Sequence, residues 1–194
     1  MLIDKKNTMQ DSLIPVRIII GVTGHRVLKN IPLLQKKVHE ILAQIRQDKL
    51  QSSNVKIVFT ILSPVAEGAD RLVAREILKE KDSQLEVVLP LAEDDYMNDF
   101  ETLESKNEFQ EFLALSKNIK QLPPANSRNE AYEQVGHYVV DNCDVLIALW
   151  NGKPAAGTAE IVQYAREKKR SLFWIHTEEA IISFEDNEAV TDEE

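Results

Sequence analysis

The sequence predicts an α/β protein, a Rossmann-like three-layer sandwich with a mostly parallel, doubly wound sheet. Two observations carry this prediction. Short continuous runs of β-branched and other apolar residues recur along the chain, as in strands buried on both faces of a parallel sheet. Between these runs lie amphipathic stretches with helical spacing. Strand and helix therefore alternate, and right-handed crossovers are expected to place helices on both faces of the sheet.

Five apolar runs are the predicted strands and five amphipathic stretches are the predicted helices. The strands are expected over about residues 16–22, 55–62, 85–89, 145–150 and 171–176. The helices are expected over about residues 33–45, 68–81, 101–115, 129–142 and 158–169. In the first helix, Leu34, Val38 and Ile41 share one face, while Gln, Lys and Arg side chains occupy the other. The paired prolines that end Ile119–Pro124 allow that stretch to be at most an edge strand.

The length of 194 residues suits one domain, which the sequence predicts over residues 15–176. The polar residues 1–14 are expected to form a flexible leader. Residues 177–194 contain eight acidic residues and no Lys or Arg, so they are predicted to be a disordered acidic tail. Because the net charge of the whole chain is −9, this tail leaves the predicted domain nearly neutral.

Composition argues against several classes of protein. A nearly neutral domain lacks the basic face that binding to nucleic-acid phosphates requires, so no nucleic-acid partner is expected. The longest apolar runs are far shorter than the roughly 20 residues that span a bilayer, so no membrane partner is expected either. The single cysteine, Cys143, cannot form an intramolecular disulfide, which suits the reducing cytoplasm. Its place before a buried strand predicts a core residue rather than a catalyst.

The histidines show no spacing typical of a metal site. His25, His39, His137 and His176 are scattered along the chain, and one cysteine is too few for a cysteine-based zinc site. The sequence therefore predicts no structural transition metal and no cofactor. It also lacks the Gly-x-Ser-x-Gly elbow of an α/β-hydrolase nucleophile.

The loop after the first strand, Gly21-Val-Thr-Gly-His-Arg26, has the features of an anion-binding turn. Its two glycines permit a tight turn and close backbone approach, Thr23 offers a hydroxyl, and Arg26 offers a bidentate fork for a phosphate or carboxylate. Ligands of open α/β sheets bind beyond the carboxyl ends of the strands, where this loop lies. It lacks both the third glycine of a dinucleotide fingerprint and the Lys-Ser/Thr of a P-loop, so a purely structural turn remains an alternative.

The loops after the second and third strands carry acidic groups. Glu67, Gly68, Asp70 and Arg71 surround a predicted helix start, where the carboxylates would accept hydrogen bonds from ribose hydroxyls or base edges. Equally, Glu67 and Asp70 would only cap the helix and complement its dipole. After the third strand, Pro90–Phe100 is acidic and contains an aromatic ring suited to stacking on a base. A solvated loop is the favoured interpretation there over a carboxylate metal site.

The loop after the strand predicted at residues 145–150 again combines glycine freedom, a hydroxyl and a carboxylate at a helix start. These features are Gly152, Gly157, Thr158 and Glu160. The alternative is that Thr158 is the N-cap and Glu160 a first-turn acid. Arg128, just before the helix predicted at residues 129–142, and Tyr132, within that helix, would reach the same cleft.

Four segments together resemble the SLOG superfamily of Rossmann-like domains, which includes the Lonely guy (LOG) phosphoribohydrolases, the DNA-processing protein A core and the molybdenum-cofactor carriers. The segments are Gly21–Arg26, Ala66–Leu72, Cys143–Gly152 and Gly157–Glu160. The resemblance extends over about residues 15–176. It implies a nucleotide or nucleotide derivative across the strand ends, with its phosphate near the first and last glycine loops and its sugar or base near Glu67–Asp70. Related domains often pair through helices, which implies a homo-oligomer.

One departure from the LOG pattern bears on activity. LOG enzymes carry Pro-Gly-Gly-x-Gly-Thr-x-x-Glu, whereas Pro154-Ala-Ala-Gly-Thr-Ala-Glu160 lacks the paired glycines and brings the glutamate one position closer. Alanines 155 and 156 do not readily adopt positive φ, so weaker or altered phosphate recognition is predicted.

Three functions follow from the residues and the resemblance. The first is a nucleotide-binding or ligand-sensing module. The second is an enzyme that cleaves the N-glycosidic bond of a nucleotide, in which Glu160 or Asp70 would orient water or stabilise the ribosyl centre and Arg26 or Arg71 would hold the phosphate. The third is a scaffold whose acidic tail docks a basic partner.

Overall fold

A single mixed sheet forms the centre of the computed structural model, which describes residues 15–52, 56–154 and 157–186. The strands are β1 (Val16–Gly24), β2 (Ile57–Ser63), β3 (Gln84–Leu89), β4 (Asn118–Gln121), β5 (Val145–Trp150), β6 (Ser171–His176) and β7 (Ile182–Glu185). The helices are α1 (Ile31–Ser52), α2 (Ala69–Ile77), α3 (Glu93–Met97), α4 (Leu103–Leu115), α5 (Arg128–Asn142) and α6 (Thr158–Glu167). The Rossmann-like α/β prediction is confirmed.

The strand order is β4-β3-β2-β1-β5-β6-β7, and only the β6–β7 pairing is antiparallel. From β1 the chain builds outward to β4, and it then returns to the middle and places β5 on the other side of β1. In the register, Ile20 of β1 lies opposite Val145 of β5. The order thus reverses between β1 and β5, which is where an open α/β sheet forms its ligand crevice.

The two faces of the sheet bury separate apolar clusters. One cluster includes the predicted stripe Leu34, Val38 and Ile41 on α1, together with side chains of α2 and α4. The other is formed by α5 and α6 against the opposite face. Each of the five predicted strands and five predicted helices is present, because its apolar period matches the face that it buries. The strand ends lie within two residues of the prediction, whereas α1 extends to Ser52 instead of 45 and α2 ends at Ile77 instead of 81. The edge strand β4 ends just before the paired prolines, as expected.

The strand β7 lies within the segment that the sequence analysis assigned to a disordered acidic tail. It pairs with β6, where Phe184 stacks on Phe173 with ring centroids 4.4 Å apart. Arg166 of α6 donates to Glu185 at 2.7 Å. Glu178 also has a basic partner, Lys153, at 3.2 Å. The prediction from acidic residues alone overlooked the short apolar pattern around Ile182 and Phe184 and these basic partners elsewhere in the chain. Residues 1–14 and 187–194 lie outside the described part of the chain.

The acidic stretch after β3 was expected to be a solvated helix-entry loop with an accessible aromatic ring. Its acids Glu93, Asp94 and Asp95 are exposed and form the first turn of the short helix α3, but Tyr96 on that helix is only 1% exposed. The tyrosine ring packs edge-on against Phe100 and Phe109, with centroids 5.2 and 5.5 Å away. Tyr96 is therefore a core aromatic, and its ring faces are not free to stack on a base.

Cys143 lies in the core, as the sequence predicted. Its side chain is 2% exposed and packs under β1, and burial raises the pKa of its thiol to about 12. We expect native protein at pH 8 to react with a thiol reagent such as Ellman's reagent roughly 100-fold more slowly, or slower still, than protein in denaturant. Burial hinders both the access of the reagent and the formation of the thiolate. Rapid stoichiometric labelling of the native chain would contradict this placement.

Among the described helices, none is both long enough and apolar enough to cross a membrane.

Candidate functional site

A cleft of about 340 Å³ opens where the sheet order reverses. It is lined by the end of β1, the loop after β2, the start of α6 and one face of α5. The predicted site residues that line it are Thr23, Gly24, Arg26, Asp70, Gly157 and Thr158. Loops that are far apart in the sequence thus supply a hydroxyl, a guanidinium, a carboxyl and a helix start to one space.

Gly24 allows β1 to end close to its neighbours. A Cβ at this position would lie 2.5 Å from the carbonyl oxygen of Leu149 and 2.6 Å from the Cβ of Ala69. Beyond it, the His25 backbone N–H donates to that same Leu149 oxygen at 3.0 Å, and the His25 ring Nε2 accepts from the Asn151 N–H at 3.2 Å. These contacts join the loop after β1 to the loop after β5, so the cleft wall is fixed by backbone contacts.

Arg26 follows this junction and reaches toward α5. Its guanidinium lies 5.6 Å from the centre of the Tyr132 ring, a distance that allows a cation–π contact. Tyr132 also lines the cleft, as the sequence predicted that it would. Its hydroxyl is buried and has no hydrogen-bond partner among the described residues.

Asp70 is the buried carboxyl of the cleft. It is 6% exposed and accepts from the Ser63 hydroxyl at 2.9 Å and from the Ala66 N–H at 3.3 Å. Burial raises the pKa of Asp70 to about 6, although these hydrogen bonds and the positive charges of Arg26 and Arg71 act in the opposite direction. Asp70 thus titrates close to neutral pH, and its side chain is held by Ser63 rather than capping α2.

The helix α6 begins at the cleft with a glycine. Gly157 is the N-cap residue, with φ of 89°, so Thr158 is not the N-cap that the alternative interpretation expected. No side chain at the N-cap accepts a hydrogen bond from the first turn of the helix. Backbone N–H groups at such a helix start attract anions. Residues 155 and 156, whose substitution for glycine suggested altered phosphate recognition, lie outside the described residues.

Six predicted ligand-binding residues do not line the cleft, and three of these, Gly21, Gly152 and Arg128, make contacts within the fold. Gly21 is buried within β1, where a Cβ would approach Val139 Cγ1 to 2.7 Å, so this glycine admits α5 rather than a ligand. Gly152 forms the turn after β5 with φ of 78° and packs against Trp174. Arg128 donates to Asp99 at 2.9 Å and to Asp95 at 3.0 Å, which ties α5 to α3.

Glu67, Gly68 and Arg71 face a second, wider cavity of about 1070 Å³ between α2, α4 and the start of α1. Arg71 is 4% exposed and donates to the Val65 carbonyl, to Ser105 Oγ at 2.8 Å and to Glu108 at 2.7 Å. Its guanidinium also lies over the Phe100 ring. Through Nε and Nη1, Arg71 fixes α4 onto α2, whereas its Nη2 is buried and has no hydrogen-bond partner among the described residues. Glu67 likewise accepts from Ser105 Oγ.

Glu160, the other predicted catalytic carboxylate, points toward α5. It contacts the Nε2 atom of His137 and does not line the cleft. Glu133, one turn before His137, completes a group of three potential metal ligands. Sequence reasoning looked for spacing among histidines, and it therefore missed this group, in which a histidine is accompanied by two carboxylates.

No model of a known protein family matches this sequence. Among curated proteins no significant match is found either. The relation to the SLOG superfamily therefore remains a prediction that rests on the loop motifs.

Two residues that support the cleft were not singled out from the sequence as site residues. Ser63 directly follows the predicted second strand, and its hydroxyl holds Asp70. His25 was considered only within the glycine loop and among the histidines, yet its ring accepts from the Asn151 N–H just beyond β5. A polar residue at the last position of a buried parallel strand is the signal that would have identified Ser63.

Proposed function

We propose that this protein binds a small phosphorylated ligand of the nucleotide class in the cleft between β1 and β5. The observation that carries the proposal is the convergence of Arg26, an N-terminally open helix and the buried Asp70 on one cleft at the reversal of strand order. Such crevices are the usual ligand sites of open α/β sheets.

The phosphate end of the ligand would lie between Arg26 and the start of α6. The first turn of α6 has backbone donors without a side-chain acceptor at its N-cap, and the helix dipole adds partial positive charge there. Arg26 lines the same cleft and adds a full charge with a planar set of donors. A dianionic phosphate is the group that matches this pair of features.

The sugar end of the ligand would lie toward Asp70 and Tyr132. A carboxylate accepts hydrogen bonds from a pair of sugar hydroxyls, and the unpartnered Tyr132 hydroxyl would gain a hydrogen bond from a polar ligand atom. The cleft volume of about 340 Å³ lies at the small end of ligand sites. This favours a mononucleotide or a sugar phosphate over an extended dinucleotide.

The proposal predicts phosphate-dependent binding that requires Arg26. In calorimetric and thermal-shift titrations with AMP, GMP, CMP, UMP, NAD and ADP-ribose, at least one 5′-phosphate should bind, while the corresponding nucleoside binds far more weakly. Arg26→Ala should weaken that binding about 10- to 100-fold, since a charge-assisted hydrogen bond contributes roughly 1.5–3 kcal/mol.

Arg75→Ala is the matched control for the loss of an arginine. Arg75 lines the wider cavity and pairs with Glu108, but it does not line the cleft. Its replacement should leave the affinity unchanged. Arg26 borders both spaces, so Arg75 decides between them. If Arg75→Ala abolishes binding, with or without a loss in Arg26→Ala, the ligand occupies the wider cavity and the proposal is wrong.

A second candidate function is hydrolysis of the N-glycosidic bond of the same ligand. It is favoured by Asp70, because a carboxyl in a cleft with its pKa raised to about 6 suits proton transfer near neutral pH. In that reaction water adds to C1′ of the ribose and the base departs with a proton. Release of free base from the bound nucleotide, followed by chromatography and lost in Asp70→Asn, would establish this activity. Binding without release would leave a sensing function.

A further inference from the structure

The helices α5 and α6 pack closely at the edge of the cleft, which Gly136 and Ile161 both line. The Ile161 side chain lies against Gly136, where an added Cβ would be 2.2 Å from Ile161 Cδ1. The residues that follow Gly136 and precede Ile161 in the sequence are His137 and Glu160. This close packing thus brings a histidine of α5 against a carboxylate of α6.

A third potential ligand joins this pair. Glu133 and His137 are four residues apart on α5 and therefore lie on the same side of the helix. One carboxylate oxygen each from Glu133 and Glu160 and one ring nitrogen of His137 all lie within 4.8 Å of one another. The side chain of Glu160 is 42% exposed and that of His137 is 28% exposed, so an ion from solvent has access.

The ring of His137 is held in place by its neighbours. It stacks on Tyr164 of α6 with centroids 3.8 Å apart and an angle of 20° between the planes. Tyr164 in turn donates its hydroxyl to Asp141 at 3.1 Å, which anchors the tyrosine to α5. An imidazole that is already oriented loses less conformational freedom when it binds an ion.

We propose that Glu133, His137 and Glu160 form a binding site for a divalent transition-metal ion, with Zn²⁺ the best match. One imidazole nitrogen and two carboxylate oxygens are ordinary zinc ligands, and the two negative charges balance the charge of the ion. A tetrahedral ion with bonds of roughly 2.0–2.1 Å has ligand atoms about 3.4 Å apart. His137 Nε2 and Glu160 Oε1 are in hydrogen-bond contact and therefore closer than this spacing, so an ion would replace that bond. The two glutamates are exposed and can turn to admit the ion, which leaves the fourth position for water.

The donor set also selects the class of ion. Ca²⁺ and Mg²⁺ prefer oxygen ligands throughout, whereas an imidazole nitrogen favours zinc and its neighbours in the first transition row. This site is separate from the proposed ligand cleft, because the Glu160 carboxylate points to α5 while Thr158, two residues earlier, lines the cleft. The proposal also replaces the expectation from histidine spacing that the chain holds no transition metal.

Cobalt titration of the full-length chain without an affinity tag tests the site. We expect one Co²⁺ per chain with visible d–d absorption, displaced stoichiometrically by Zn²⁺ and not by Mg²⁺. His137→Ala should abolish the absorption. Glu133→Gln and Glu160→Gln should each weaken binding by at least about 10-fold, since even the loss of groups that merely orient a metal ligand costs roughly 10- to 100-fold.

Two variants control for general effects of charge and of histidine. Glu167→Gln removes an exposed carboxylate from the same helix α6, and His39→Gln removes a different histidine that also contacts a glutamate. Both should bind Co²⁺ like the parent protein. Circular dichroism of His137→Ala should match the parent protein in the absence of metal, and its melting should stay cooperative although the stacking on Tyr164 is lost, which separates loss of a ligand from loss of the fold. Stoichiometric binding that survives in well-folded His137→Ala, or an absence of saturable Co²⁺ binding in the parent protein, would overturn the proposal.

Discussion

Replacement of Gly68 by alanine is expected to destabilise the fold by at least about 3 kcal/mol. Gly68 precedes α2 with φ of 80° and ψ of −114°, a conformation that residues with a Cβ rarely adopt. A Cβ there would lie 2.3 Å from the carbonyl oxygen of Arg26 and 2.4 Å from that of His25. Both obstacles are backbone atoms, so no side-chain rotation relieves the contact.

The effect of Gly68→Ala should extend to the cleft. The carbonyl oxygen of His25 accepts a hydrogen bond from the Ala69 N–H at 3.0 Å, so the start of α2 rests directly on the loop after β1. Moving α2 away from that loop breaks this bond and displaces Arg26. Gly68→Ala is therefore expected to lower both the free energy of unfolding, measured by urea denaturation, and the affinity for any ligand held by Arg26.

Gly157→Ala is the matched comparison for Gly68→Ala. Gly157 is also the N-cap of a helix with a positive φ, 89°, but a Cβ there would meet no atom of the described residues within 4 Å. Its replacement retains the conformational strain, about 1–3 kcal/mol, without the backbone collision. If the two variants lose the same stability, strain alone explains both losses, and the close approach of α2 to the loop after β1 is not the cause.

These glycines illustrate what the sequence could and could not predict. Gly21, Gly24 and Gly68 were all assigned to a ligand site, because a glycine in a loop after a strand lets another group come close to the backbone. The sequence does not show whether that group is a ligand or another segment of the chain. For Gly21 it is α5, for Gly24 it is β5 and α2, and for Gly68 it is the loop after β1. The fold was predictable because its apolar periods are local, whereas the partner of a glycine is a distant segment.

The direction of side chains around a helix was a second unpredictable feature. Asp70 and Arg71 are adjacent at the start of α2, yet Asp70 lines the cleft and Arg71 lines the wider cavity on the other side. Thr158 and Glu160 on α6 separate in the same way, one into the cleft and one toward α5. Successive residues of an α-helix are rotated by about 100° around the helix axis (~3.6 residues per turn). Neighbouring residues of a motif that continues from a loop into a helix therefore point in different directions, and only some of them face the cleft.

Asp70→Asn is expected to make the protein more stable at pH 7.5, by about 1–3 kcal/mol. Burial raises the pKa of Asp70 from 3.8 to about 6. The folded state therefore favours the neutral form of the Asp70 carboxyl group. The stability that this form provides is fully present below about pH 4 and is lost as the pH rises through 6. The asparagine oxygen can still accept from Ser63 Oγ. Its amide hydrogens must find acceptors, so the gain falls short of the roughly 3 kcal/mol of the full shift.

The measurement is the difference in unfolding free energy between Asp70→Asn and the parent protein at pH values from 4 to 8. The difference should be smallest near pH 4 and should grow until about pH 7. Glu108→Gln gives the opposite sign, because hydrogen bonds from Arg75 and Arg71 outweigh partial burial and lower the pKa of Glu108. That variant should be less stable than the parent at neutral pH. A pH-independent difference for Asp70→Asn would mean that Asp70 has an ordinary pKa.

The same variant links stability to function. At neutral pH the buried carboxylate of Asp70 destabilises the fold, and an asparagine would fill the same place without this cost. A ligand with hydroxyl groups in the cleft, by contrast, would gain a charged hydrogen-bond acceptor from Asp70. Asp70→Asn should therefore raise the melting temperature while it weakens nucleotide binding by about 10-fold or more. Higher stability with unchanged affinity would instead place the ligand away from Asp70, and it would restrict the site to Arg26 and the first turn of α6.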